Sequence, residues 1–363
     1  MNRLKVTGVL LLVLMSFIVV PAADGGLFDI VSPELTDAAN LESLWAQKIP
    51  LLGRREVIDK VYLIGTRIYA LTSSNYLFSL DSSNGKVIFG RPVAEKDIPI
   101  MGLEVFGDSL YYFSGSKLTE LDIDHGSLKS QRKLSVRIVA PPARNSSFFY
   151  FPGINDRVSV MRASDQVKIF DVAADNDSSV VTLKASEEYF TFGTEAGNIV
   201  VVAAGEPVKL WQFDTDGAVA LPLVLDEGGI YAASADTNIY ALDFQGKKLL
   251  WKYQCSAILD EGPVVTRKAV YQYVKDFGLL ALSRSDGKIL WKVPGGESLL
   301  SSADGISYLL HSDGRLVVMD DISGKKIYSV NFEPVDIGVV NTDDSRIFIA
   351  AEDGRINCLQ PKE

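Results

Sequence analysis

The chain is poor in the side chains that most soluble catalysis draws on. Only two histidines and two cysteines occur in 363 residues. His125 lies in the Asp124-His125-Gly126 turn and His311 precedes Asp313-Gly314, with no motif around either. That speaks against His-based metal sites and Ser/His hydrolysis, which need imidazole beside defined partners. Cys255 and Cys358 stand 103 positions apart, which fits no zinc or redox spacing. Basic excess is missing too. The formal charge is -10, the opposite of a nucleic-acid-binding stripe, and it reads as a soluble acidic surface. After the N-terminal segment no stretch keeps a 3.6-residue period, so a helical fold is excluded for the bulk of the chain.

Other fragments that suggest chemistry are incomplete. Asp214-Thr215-Asp216-Gly217 resembles the start of a calcium loop but lacks the remaining acidic ligands. Ser283 to Lys288 ends in Gly-Lys without the glycine five positions earlier that a phosphate loop requires. Both read as surface turns.

The first residues form an export signal. Arg3 and Lys5 make a positive start, Val6 to Val20 is mostly apolar, and Val20-Pro21-Ala22 supplies small residues for cleavage. As a helix the apolar stretch would span about 22 Å, short of a bilayer's roughly 30 Å. Cleavage after Ala22 is therefore favoured over retention as an anchor. Residues 1–22 are assigned to the signal, 23–39 to a mature N-terminal segment and 40–363 to the folded body. No cysteine near the site could carry a lipid.

What the chain does have is a repeat. Gly229 to Trp251 and Ala269 to Trp291 are near-copies offset by 40 residues. Taking the terminal aromatic as an anchor gives Trp45, Phe89, Phe170, Trp211, Trp251, Trp291 and Tyr328, with Ser130 where one more is due. The spacings are 44, 41, 40, 41, 40, 40 and 37, and all four tryptophans fall on anchors. Eight or nine residues before each anchor comes an apolar residue and then a polar or small one, as at Leu80-Asp81, Leu121-Asp122, Leu242-Asp243 and Met319-Asp320. A turn glycine usually follows, as Asp and Gly each suit turns for their own reason. Because these aspartates recur in blade after blade, they set turn geometry and are not a ring of general bases. Upstream runs such as Leu110-Tyr111-Tyr112-Phe113 read as strands.

A period near 40 holding four short strands is a propeller blade. The last unit has inner strands but ends before its anchor, while Trp45 has no blade in front of it. Leu41–Lys48 therefore completes the final blade, and the expected fold is an all-β, eight-bladed propeller of four-stranded antiparallel blades. Its ring is closed by an N-terminal strand joining the C-terminal blade. In this register Cys358 takes the small strand slot of Ala241 and Ala281, three blades from Cys255, so the two are expected to stay unpaired. The pattern degrades around blade 3, flanked by Arg132 to Arg144 and Asp171 to Ser179.

The ending A-L-D-x-x-x-G-K-x-x-W, clearest at Ala241 to Trp251 and Ala281 to Trp291, resembles the PQQ-like propeller repeat over essentially everything after residue 40. Within that group the chain is most similar to BamB-type proteins, accessory subunits of outer-membrane β-barrel assembly. That resemblance implies a non-enzymatic periplasmic or extracellular scaffold for protein partners, monomeric and without cofactor, metal or nucleic acid. BamB-type proteins usually carry a lipid-bearing cysteine that this chain lacks. Quinoprotein dehydrogenases share the repeat but typically add long insertions, an adjacent cysteine pair and calcium ligands, whereas here Cys255 and Cys358 are far apart and the spacing of 37–44 residues leaves no room for insertions. The alternative function is a propeller holding a small molecule, sugar or quinone in its central funnel.

The anchors carry the first test. A buried Trp removes about 150–250 Å² from water, about 4–6 kcal/mol at the upper bound. Trp251→Ala should cost roughly 3–5 kcal/mol. Trp45→Ala should cost as much in thermal or denaturant unfolding, and a silent Trp45→Ala would argue against its closing role.

Overall fold

A computed structural model describes residues 26–362, so the proposed signal over 1–22 lies outside the described residues. Eight four-stranded antiparallel sheets follow one another. Blade 1 runs through Ile58–Ile64, Arg67–Thr72, Tyr76–Asp81 and Val87–Pro92. Blades 2 to 7 repeat that order, starting at Ile100–Phe106, Ala143–Arg144, Val180–Ala185, Val224–Asp226, Val264–Val265 and Gly296–Ala303. Blade 8 combines Ile337–Val339, Ile347–Ala350 and Arg355–Pro361 with Leu41–Lys48 from the other end of the chain. First strands of neighbouring blades touch, which places them around the centre and the anchor strands at the rim.

The sequence pattern follows from this stacking. A middle strand such as Tyr189–Thr194 is buried on both faces, because a neighbouring blade covers each. It therefore reads as a continuous apolar and aromatic run. A rim strand such as Lys248–Gln254 is exposed except at its buried anchor, Trp251, and the half-buried Tyr253. Closure follows the same register: Trp45 lies opposite Cys358, as Trp251 lies opposite Ala241 and Trp291 opposite Ala281. Both cysteines are buried and free.

Every rim strand also breaks register at one place. The pairing shifts beside the anchor position in all eight blades, leaving the preceding residue unpaired. Such a bulge twists the strand and re-aims the side chain after it. It also accounts for a row of exposed aliphatic side chains at Leu44, Ile169, Leu250 and Ile327, each one residue before an anchor.

One short helix, Pro33–Ala38, departs from the all-β expectation. Ser32 caps it by accepting from the Leu35 N–H, and Pro33 opens it, where a missing N–H costs nothing. Six residues are too few to show a period. The segment before the ring is not loose: Ile30 and Val31 are buried among residues of blades 7 and 8. The Ile30 N–H donates to Asn357 Oδ1 at 3.0 Å, and the Tyr328 hydroxyl donates to the Ala39 carbonyl at 2.8 Å. No helix among the described residues is long and apolar enough to cross a membrane.

The link from the closing strand into blade 1 is held by Glu56, which is 9% exposed. Its carboxylate accepts from the Gly53 N–H at 3.1 Å, from Thr72 Oγ1 at 2.6 Å, and from Leu52 N–H and Ser74 Oγ. Burial alone would push its pKa up, but the bonds from Ser74, Thr72 and the two backbone groups hold it below its ordinary value. A lowered folded-state pKa means the contribution is fully present above the ordinary carboxylate range and is lost as pH falls through the folded value. Glu56→Gln should cost about 1–3 kcal/mol near neutrality. It should also flatten the acid limb of a stability profile below the ordinary carboxyl pKa; an unchanged acid limb would contradict this role.

Candidate functional site

The anchor positions lie one to a joint, reaching from one blade toward a turn of the next. Trp45 Nε1 donates to the Ser82 carbonyl of blade 1 at 3.0 Å, and a Cβ on Gly85 would fall 2.5 Å from the indole. Phe89 lies against Gly126 of blade 2 at the same virtual distance, 2.5 Å. Trp251 donates to the Arg284 carbonyl at 2.8 Å and covers Gly287. Trp291 donates to Asp321 Oδ1 at 2.8 Å. Phe170, Trp211 and Tyr328 are only half-buried. The seven side chains are spread around the ring and do not converge on one place.

Blade 2 has Ser130 in place of a ring, and its joint is built from charge. Ser130 Oγ donates to Glu120 at 2.9 Å; that carboxylate also accepts from Tyr111 Oη at 2.9 Å and Ser109 Oγ at 2.8 Å. From blade 3, the buried Arg144 lays its guanidinium 4.0 Å from the Phe106 ring, 4.5 Å from Tyr111 and 4.7 Å from Phe149. Cation–π attraction thus spans a joint that lacks an aromatic anchor.

The central strands of blades 2, 3 and 4 place Glu104, Arg144 and Lys184 in one neighbourhood. Burial raises the Glu104 pKa, with the Lys184 and Arg144 charges pulling the other way, and the net shift is upward. The three charges come from the first strands of successive blades, with Arg144 buried and Lys184 exposed.

The remaining chemical candidates do structural work. Asp81 Oδ1 accepts from the Ser83 N–H, Asp122 Oδ1 from the Asp124 and His125 N–H groups, and Asp243 Oδ1 from the Gly246 N–H. Asp320 Oδ1 accepts from the N–H groups of Ile322 and Ser323. These are turn-forming bonds. His125 pairs with Asp122 at 2.9 Å on the surface of blade 2, whereas His311 contacts the Pro294 carbonyl and Asp313 in blade 7. Asp214 accepts from Asn198 and Gln212, and the Asp216 N–H donates to Asp236, so this turn links blades 4 and 5. No group of three or more metal-ligating side chains occurs among the described residues. Burial pushes the Cys255 and Cys358 thiols up to about 12, far from a reactive thiolate.

Comparison with known proteins agrees with this geometry. A sequence model of the family described as outer membrane protein assembly factor BamB matches residues 195–332. The crystal structure of BamB from Moraxella catarrhalis superposes with a TM-score of 0.64 at 14% identity, covering 88% of this chain and 99% of that one. The chain is an eight-bladed propeller similar in fold to BamB. The computationally designed Ika8 protein superposes comparably, with a TM-score of 0.67 at 14% identity over 86% of this chain and 99% of that one. At such identities both likenesses concern the fold. Two curated relatives are enzymes. A 1-butanol dehydrogenase (quinone) from Thauera butanivorans is 23% identical over 32% of this chain and 21% of its own length. A quinoprotein ethanol dehydrogenase from Pseudomonas aeruginosa is 23% identical over 34% of this chain and 25% of its own. The chain thus spans about a quarter or less of the curated relatives it matches.

In this BamB-like ring one recurrent position escaped the repeat pattern: the residue just after the turn Asp or its substitute. It is Ser82 in blade 1, Phe244 in blade 5, Arg284 in blade 6 and Asp321 in blade 7, and each receives the preceding blade. Arg284 donates to Tyr231 Oη at 2.8 Å and pairs with Asp226 at 2.6 Å, both in blade 5. Asp321 is buried and accepts from Tyr271, Ser302, Ser307 and Trp291. Constant position was the available signal, but the side chain changes chemistry at each joint and no motif results.

Glycine substitutions separate docking from backbone strain. Gly287 has φ +69° and its virtual Cβ lies 2.6 Å from Trp251, whereas Gly107 has φ +60° with nothing within 4 Å. Gly107→Ala should cost about 1–2 kcal/mol for its conformation alone. Gly287→Ala should add a further 1–3 kcal/mol for displacing the indole. Equal losses in parallel denaturant titrations would mean that Trp251 does not depend on that turn.

Proposed function

We propose that this chain is an exported, non-enzymatic propeller scaffold that binds protein partners in the assembly of outer-membrane or other envelope proteins. The observation that carries the reading is a shelf over blade 3. There the crossover from blade 2 pairs with the blade through an Ile138–Gly153 bridge. The Val139 N–H donates to the Pro152 carbonyl and the Ile154 N–H to the Arg137 carbonyl, each at 3.0 Å. Ile138 turns inward, while Val139 and Ile154 stand 47% and 60% exposed beside the exposed Arg137. Apolar side chains held out by a fixed backbone, with a charged rim, have the composition of a protein-docking patch. The likeness to BamB supports the same class of role.

A second reading, a small anionic or quinone-like ligand in the funnel, is favoured by the cluster of Glu104, Arg144 and Lys184 and by the quinone-dependent dehydrogenases among the distant relatives. The scaffold is preferred because Arg144 is already engaged by three rings.

Cross-linking and co-purification from the envelope fraction test the proposal. The wild-type chain should recover a protein partner, and Val139→Asp with Ile154→Asp should reduce that recovery about tenfold or more without lowering the melting temperature. Recovery of the protein alone, with a saturable thermal shift on adding a quinone, would favour the funnel reading instead.

A further inference from the structure

Blades 4 and 5 meet through stacked rings. Phe244, at the position Ser82 holds in blade 1, stacks on Tyr189 of blade 4 with centroids 3.8 Å apart and planes 23° from parallel. Beside the pair opens a cavity of about 360 Å³, between the turns carrying Glu187 and Glu188 and the turn carrying Glu227. That volume lies at the lower end of the range for small-molecule sites.

The groups on its wall are unevenly engaged. Asp226 and Glu227 are held by Arg284 at 2.6 and 3.6 Å. The N–H groups of Arg284 are in turn taken up by Tyr231, Asp226 and Thr266. Glu187 accepts from the backbone and hydroxyl of Ser146. Glu188 is exposed at the mouth, and no cation pairs with it among the described residues. Tyr189 is 6% exposed and lines the cavity, yet its hydrogen bonds run through its backbone to Ser186; its hydroxyl has no partner among the described residues. Burial, with the Glu188 charge beside it, holds that phenol above its ordinary pKa. It is neutral near pH 7, with oxygen lone pairs free to accept.

A ligand entering here meets a free carboxylate, a free phenol oxygen, and the Gln245 and Phe244 side chains. An anion would be repelled by Glu187 and Glu188. A cation rich in N–H donors would satisfy the acceptors and be attracted by the carboxylates. We propose that this inter-blade cavity binds an organic cation, an alkylammonium or alkylguanidinium group, with Glu188 taking its charge and Tyr189 Oη accepting one of its N–H groups. Two sources share that chemistry: a free polyamine, and a Lys or Arg side chain of a protein partner. The proposal concerns the cavity and does not require the scaffold reading.

Calorimetric titration of the exported chain with n-butylammonium chloride, spermidine and an acetyl-Gly-Lys-Gly amide tests it, with sodium acetate as control. Saturable binding of at least one amine at millimolar concentration is expected, weakened by added salt. Glu188→Gln and Tyr189→Phe should each weaken it at least about fivefold. Tyr189→Phe keeps the stacked pair, and an unchanged melting temperature in both variants assigns the loss to the site. Tighter binding of spermidine assigns a free polyamine as the ligand, and tighter binding of the peptide assigns a partner's side chain. Absence of saturable binding by all three amines, or equal affinity in Glu188→Gln, would overturn the proposal. Neither result depends on whether a protein co-purifies from the envelope.

Discussion

The ring depends on one recurrent contact, an aromatic side chain pushed by a β-bulge out of its own rim strand and onto a turn of the next blade. Trp45, Phe89 and Trp251 each rest on a glycine whose Cβ would collide with the ring. Each of these turn glycines has positive φ and must remain bare, and in blades 1 and 2 Asp81 and Asp122, four residues earlier, fix the turn through bonds from its backbone N–H groups. Anchor, bulge, turn Asp and turn Gly are parts of one device, which is why they recur in step. Closure uses the same device across the greatest distance in the sequence. Joining segments some 300 residues apart costs about 5 kcal/mol in loop entropy beyond a constant. Burial of Trp45 contributes about 4–6 kcal/mol at most. The indole alone roughly offsets the closure cost, so the Leu41–Lys48 ladder and the packing of Ile30 and Val31 supply the surplus.

Much of this was legible in the sequence because large aromatics and turn residues have local, type-specific reasons for being where they are. The phase of the repeat even placed Leu41–Lys48 in the last blade, and put Cys358 in the slot that Ala241 and Ala281 fill. What was not legible depends on backbone or on distant partners. The bulge is a register property, and no residue type marks it. The acceptors at Ser82 and Arg284 are main-chain carbonyls, indifferent to the side chain. Arg144 closing the joint that Ser130 leaves open is a contact between blades, invisible to a search along one repeat. Asp321 likewise gains meaning only when four donors from two blades meet it.

The joints consequently differ in how specialised they can become. Where an indole covers a glycine, every neighbouring position is dictated by packing, and little surface remains to vary. Blade 2 meets blade 3 through Arg144 and its three rings, and blade 4 meets blade 5 through Tyr189 on Phe244. At the first joint these contacts stand in for an anchor, and at the second they add to Trp211, which packs against blade 5. The first lies beside the shelf that presents Val139 and Ile154; the second leaves the cavity mouth at Glu188. The shelf thus sits where the repeat is least obeyed and the cavity beside a regular joint, and contacts such as Trp251 on Gly287 hold the two in fixed relation.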